Sequence, residues 1–407
     1  MTSMIFARRR GELLLIVSAV VAGIAVLAAV CSFGPIDLEV YRFGSQALVA
    51  GHDLYGPLPA TRAGVSLPFI YPPFGALVLL PLAIPPLAVA SVLLTVLTMA
   101  SLWAALRVVI RRLWTVAPRR ASLAALVLTA PSLALEPVRS TLSFGQINML
   151  VMALVVVDCL AEKPPWPRGM LVGIAAAIKV TPAAFLLFFL LRKDFRAAMT
   201  VVATGAAASA FAFVMAPGAS LKYWFSGQLT GAGGLAASPL HTNQTIAAAL
   251  RRLHLPPDGL LWWVLAGLVI IAAVLVIRRA EPPMAVMVTA AAALVISPIS
   301  WSHHWVWIAP ALLVFAKSAP RWLTVTVAVV FVAGPFMMLP GGGDRELAWS
   351  AWQHVIGNVY LILVLAFLAW QLFGSRQLAA GRHEQQEHEQ DPHDHQAATA
   401  TTAGLRV

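Results

Sequence analysis

Charge is what this 407-residue chain has least of: Asp, Glu, Lys and Arg make up 11% of it, against about 25% in an average soluble domain. With 60% hydrophobic residues and a mean hydropathy of +0.82, that scarcity excludes an ordinary soluble enzyme. It calls for a bilayer, whose hydrocarbon core of about 30 Å needs apolar runs of about 20 residues. Cysteine is also scarce. Cys31 and Cys159 both sit in apolar segments, which excludes a disulfide scaffold. There is no Walker loop, dinucleotide fingerprint or nucleophile elbow, so a soluble nucleotide donor is not indicated. No His or carboxylate pair has metal-ligand spacing, and neither metal nor cofactor is expected. The net charge of +11 comes in short Lys/Arg clusters between apolar runs. Such clusters set membrane topology, and no nucleic-acid partner is expected.

What the chain does have is membrane-length apolar runs, at 13–33, 86–110, 121–135, 147–160, 169–191, 197–216, 260–277, 284–299, 305–316, 322–339 and 355–373. The first follows Arg8, Arg9 and Arg10 with no small-residue cleavage site, and reads as an uncleaved helix. The piece 73–84 is too short to cross and reads as a half-helix. The run 169–191 carries Lys179 and Pro182 at its middle, where Pro breaks the helical ladder and a Lys is costly in lipid. It reads as a hairpin of two short helices with Lys179 at the tip. With that hairpin, twenty of the 28 Lys and Arg fall on the cytoplasmic side, as the positive-inside rule requires. The expectation is an all-α polytopic membrane protein of about 12 crossings with both termini cytoplasmic: an N-terminus 1–12, a membrane domain 13–374 and a tail 375–407. The tail is polar, with His383, His388, His393 and His395, and reads as a disordered cytoplasmic segment.

This topology delivers polar groups from six separate segments to one extracytoplasmic face: Asp37 and Glu39, Glu136 and Arg139, Gln146 and Asn148, Lys179, Asn243 and Gln244, and His303 and His304. Ionisable groups at a membrane edge are functional candidates by default. Asp37 opens an interfacial helix on which Tyr41 shares its face, and reads either as that helix's N-cap or as a catalytic base. Tyr71-Pro72-Pro73 closes the loop that could cover it. Lys179 reads as a snorkelling side chain or as a point charge for a lipid phosphate. Glu136 and Arg139, three residues apart, read as an ion pair, with Arg139 also a phosphate-clamp candidate. His303 and His304, among Trp301, Trp305 and Trp307, read as an aromatic belt or as a sugar site.

Taken together, DLEVY, LPFIYPPF, EPVRST with FGQIN, the KVTP turn, NQT and SPISWSHHWVW resemble glycosyltransferase family 87, the actinobacterial polyprenyl-phosphate-mannose-dependent α-1,2-mannosyltransferases. The resemblance runs from about residue 36 to 310. It implies a GT-C architecture with an essential Asp in the first extracytoplasmic loop, here Asp37, and a role for His303 or His304. Beside it, the residue reading offers Lys179, Arg139, Gln146, Asn148, Asn243 and Gln244 as donor-binding candidates and Tyr41 and Tyr71 as acceptor-loop candidates. The implied reaction is inverting transfer of mannose from polyprenyl-phosphate mannose to a lipid-anchored mannoside or glycan, at the outer face of the cell membrane. A polyprenyl-phosphate-arabinose-dependent transferase and a flippase of a lipid-linked sugar are the alternatives. A flippase would carry polar groups through the midplane and repeat symmetry between halves, and neither is evident in the sequence.

Overall fold

The structure is a computed structural model that describes residues 34–373. The expected first crossing, the N-terminus and the tail lie outside the described residues. Within them the architecture is helical, and the only strand-like pairing is an isolated bridge between Asn243 and Trp301. In chain order the helices are α1 (Ile36–Val49), α2 (Pro73–Ala83), α3 (Leu87–Leu113), α4 (Pro118–Ser132), α5 (Glu136–Phe144), α6 (Asn148–Leu160), α7 (Met170–Ile178), α8 (Phe185–Leu191), α9 (Phe195–Met215), α10 (Pro217–Phe225), α11 (Gln228–Gly231), α12 (Ile246–Arg252), α13 (Leu260–Ile277), α14 (Pro282–Ile296), α15 (Ile308–Ser318), α16 (Arg321–Ala333), α17 (Ala351–Gly357) and α18 (Val359–Phe373). Tight 3-10 turns at Thr181–Ala184 and Ser302–Trp307 lead into α8 and α15.

Proline and polar caps explain many of the helix starts. Pro73, Pro118, Pro217 and Pro282 stand in the first turn of α2, α4, α10 and α14, where the missing N–H costs nothing and φ is already helical. Asp194 caps α9 and Thr245 caps α12 through their side chains. Each such cap contributes about 1 kcal/mol.

Four helical runs are long and apolar enough to cross a membrane: Leu87–Leu113, Phe195–Met215, Leu260–Ile277 and Arg321–Met338. The pairs α4 with α5, bent by 83°, and α17 with α18, bent by 73°, raise the number to six. The sequence expectation of about 12 is therefore not reached by helix length among the described residues. The piece 73–84, expected as a half-helix, is the 11-residue α2, and two expected crossings, α6 and α14, are helices of 13 and 15 residues. At 1.5 Å per residue they fall short of about 30 Å.

The hairpin at Lys179 follows from how α7 meets α9. Gly169 lies against Ala197, and four residues on Gly173 lies against Val201 and Gly205. The two helices therefore run in the same direction, and the segment between them, Thr181–Leu191, must return. Each arm is about half the length of a full span, and Lys179 stands at the turn between them. If the basic clusters face the cytoplasm, a cysteine at the exposed Ala117 and one at the exposed Ala63, in a background lacking Cys31 and Cys159, will react with a membrane-impermeant maleimide from opposite sides. Labelling of both from the same side would refute this topology.

Candidate active site

The first turn of α1 carries Asp37, and the residue that caps this helix is Pro35, with no side-chain cap bond. Asp37 is thus free of the N-cap role, and Gln146 lies close enough to its carboxyl to favour the charged form. One turn on, the Tyr41 hydroxyl donates to Gln146 Oε1 at 2.6 Å. Tyr71, brought in by the loop before α2, reaches the same oxygen at 3.3 Å and lies 3.2 Å from the Tyr41 hydroxyl. Gln146 is buried, and its amide oxygen holds the two tyrosines together.

Lys179 closes the other side. Its ammonium donates to Asn148 Oδ1 at 2.9 Å and lies 3.2 Å from His304 Nε2 and 3.5 Å from the Tyr71 hydroxyl. It also sits 5.1 Å over the Tyr71 ring. Burial pushes the Asp37 carboxyl up to about 6, against the lowering effects of Gln146 and Lys179. Burial pushes Lys179 down to about 7, and the nearby carboxylate of Asp37 pulls it back up. His304 is held well below its ordinary value by burial and then by the Lys179 charge, so its ring is neutral and its Nε2 can accept from the ammonium.

Two glycines permit this assembly. Gly145 ends α5 in the left-handed region, φ +67°, and a Cβ there would stand 2.8 Å from Leu38 Cβ and 3.0 Å from Pro35 Cβ. Its bare backbone lets Gln146 approach the start of α1. A Cβ on Gly75 would stand 2.8 Å from the Ile178 carbonyl, so this glycine lets α2 lie against the hairpin tip.

Asp37, Tyr41, Tyr71, Gln146, Asn148, Lys179 and His304 thus converge, from five stretches of the chain. His303 contributes its backbone carbonyl, which accepts from Thr141 at 2.9 Å and from Asn148 at 2.8 Å, while its ring packs edge-on against Phe144. Three candidates stand elsewhere. Arg139 does not pair with Glu136; its guanidinium reaches the carbonyls of Ala134 and Val332. Asn243 and Gln244 are fully buried and bound to the scaffold. Asn243 accepts from the Ser300 N–H and donates to the Ser238 carbonyl. Gln244 donates to the carbonyls of His241 and Gly357 and accepts from the Tyr360 N–H. Glu39, next to Asp37 in sequence, is buried and turned to the Arg62 backbone N–H at 2.7 Å.

Sequence reasoning undervalued Glu136. Its Oε1 accepts from Ser140 at 2.7 Å and from Ser302 at 2.8 Å, and its Oε2 accepts from Tyr360 at 3.0 Å. It therefore anchors the turn that presents His304. The sequence signal was the SxS spacing around Trp301, but the Tyr360 partner is 224 residues away and was invisible.

A cavity of about 1090 Å³ opens beside the cluster, with Tyr71, Lys179 and His304 at one end and Leu186, Leu190, Ile270 and Ile277 further along. Lys179 is the only Lys or Arg in its wall. A carboxylate and an ammonium thus meet beside a long, largely apolar cavity within a helical membrane protein.

The chain belongs to glycosyltransferase family 87, whose model matches residues 69–298, and it is a glycosyltransferase. Asp37 and the His303–His304 turn fall outside that match, but broader similarities extend past it. The chain is 39% identical, over 82% of its length and 83% of the other, to the polyprenol-phosphate-mannose-dependent alpha-(1-2)-phosphatidylinositol mannoside mannosyltransferase of Mycobacterium tuberculosis. The protein of the same description from Mycolicibacterium smegmatis is 37% identical over 80% of this chain and 81% of its own. A pentamannoside mannosyltransferase of Mycobacterium tuberculosis is 31% identical over 82% and 80%. No solved structure matches the chain significantly.

The glycine constraint is testable. Gly145→Ala will cost about 1–2 kcal/mol in left-handed strain and will separate Gln146 from Asp37, lowering transfer about ten-fold. Gly51→Ala carries similar strain at φ +72° with nothing within 4 Å, and will keep its activity. Equal activities in a membrane transfer assay would contradict the close-approach argument.

Proposed function

We propose that the chain transfers mannose from polyprenyl-phosphate mannose to a hydroxyl of a lipid-anchored mannoside, a phosphatidylinositol mannoside in the first instance, forming an α-1,2 linkage at the extracytoplasmic face with inversion. The observation that carries this reading is the convergence of the Asp37 helix, Gln146, Tyr71 and Lys179 beside a long, largely apolar cavity. The names of the relatives supply the donor and acceptor classes.

The chemistry asks little more of the protein. The acceptor hydroxyl attacks the anomeric carbon, the C1–O bond to phosphate breaks, and the bonding pair leaves on the phosphate oxygen. Asp37 takes the acceptor's proton. A general base is worth about 10²–10⁴-fold in rate, and its pKa is best placed near the working pH, as a value of about 6 is. Phosphate leaves without a protonating acid, so one carboxylate suffices, unlike the paired carboxylates of glycosidases. The charge developing on the phosphate needs a preorganised cation, and Lys179 fills that role. A phosphate arriving beside it restores the full ammonium charge that burial otherwise depresses. Asn148 and His304 keep the ammonium aimed, and the isoprenoid chain follows the apolar wall of Leu186, Leu190, Ile270 and Ile277.

In membranes supplied with labelled polyprenyl-phosphate mannose, Asp37→Asn will lose at least about 100-fold in transfer at an unchanged protein level. Glu39→Gln, which alters a group bound to the loop at Arg62, will lose no more than a few-fold. Full activity in Asp37→Asn would refute the base assignment.

A further inference from the structure

The large cavity is polar at one end and apolar at the other. Helices α13 and α14 are joined by a four-residue turn and pack against each other, so the start of α13 lies level with the end of α14. That places Trp262 near Ser297 and the Lys179–His304 pair, about 22 Å along α13 from Ile277. The wall also holds Tyr223 from α10 and Asp258 from the turn just before α13. Asp258 is the only carboxylate in the wall, as Lys179 is the only ammonium. It is exposed and has no ion pair among the described residues. The Trp262 indole N–H is buried without an acceptor. Tyr223 is held in place by the Tyr55 ring at 5.7 Å and by the ion pair of its neighbour Lys222 with Asp53 at 2.5 Å.

A carboxylate with free lone pairs beside aromatic faces is the chemistry that recognises a pyranoside: hydroxyls donate to the carboxylate, and the apolar C–H face of the ring lies on the aromatics. The phosphate and isoprenoid of the donor are accounted for by Lys179 and the apolar end, which leaves this polar end for the other substrate. We propose that Asp258, Trp262 and Tyr223 form the seat of the acceptor saccharide, across the cavity from Lys179. This rests on the reading of the site as a lipid-phosphate mannosyltransferase, and it specifies where that enzyme holds its acceptor.

The test uses the full-length protein in detergent, with octyl α-mannoside as acceptor probe and polyprenyl-phosphate mannose as donor. Asp258→Ala will raise the KM of the mannoside about ten-fold, the size expected for a lost hydrogen bond to a charged group, and Asp258→Asn will raise it less; neither will raise the donor KM. A raised donor KM, or unchanged values for both substrates, would overturn the assignment. Equilibrium binding of octyl α-mannoside to Asp37→Asn protein, with and without Asp258→Ala, separates the two readings because it needs no turnover. Weaker binding in the double variant supports the seat whatever the fate of the base, and equal binding overturns it.

Discussion

Burying an ammonium ion costs several kcal/mol unless other groups replace its water, and the surroundings of Lys179 are built to meet that cost. Asn148 supplies a carbonyl oxygen at 2.9 Å, His304 a neutral ring nitrogen at 3.2 Å and Tyr71 a hydroxyl and a ring face. Each of these groups is delivered by a different element: the start of α6, the turn before α15 and the loop before α2. Asp37 adds a carboxylate within range. The arrangement leaves the ammonium open to a further counter-charge, which in the proposed reaction a lipid phosphate supplies, so that on this reading binding and catalysis are linked in the same group.

Around that centre the polar groups divide into two kinds. Those with open valences face the cavity or the carboxylate. Others, bonded at several atoms, hold the backbone that carries the first kind. Glu136 with its three hydroxyl donors fixes Ser302, hence the turn with His304. Asn243 and Gln244 knit the same region to the loop before α12 and to the start of α18. Arg252, completely buried, grips the carbonyls of Pro239, Leu240 and Asn243 and the side chain of Asn358. This scaffold holds the site residues through multiply bonded supports, a requirement of preorganised catalysis.

Much of the site was legible because local rules governed it. Helical spacing put Asp37 and Tyr41 on one face, Pro72-Pro73 marked the start of α2, and a Lys followed by Thr-Pro inside an apolar run marked the hairpin tip. Charge counting alone required that hairpin, and the parallel packing of α7 on α9 shows it. The functional candidates that went elsewhere did so for non-local reasons. Arg139 was drawn to a carbonyl 193 residues away, and Gln244 to a backbone N–H 116 residues away. Composition does not separate an amide that binds a ligand from one that ties two loops. The choice between His303 and His304 was equally hidden, because adjacent residues in a 3-10 turn point in different directions. Among the described residues, helix length and composition alone mark four to six crossings, because several apolar runs fold as helices shorter than a full span.

The central claim is that Asp37 is the base and that its carboxyl is tuned by burial against the field of Lys179. The pH dependence of mannosyl transfer in wild type and in Lys179→Met tests both halves at once. A carboxylate must be deprotonated to accept a proton, so activity is lost as pH falls through its pKa, and the wild-type acid limb is predicted to have its midpoint near about 6. Removing the ammonium removes an influence that lowers that pKa, so the residual activity of Lys179→Met is predicted to show the limb at higher pH. A limb near the ordinary Asp value of about 4, or one that does not move in Lys179→Met, would contradict the account.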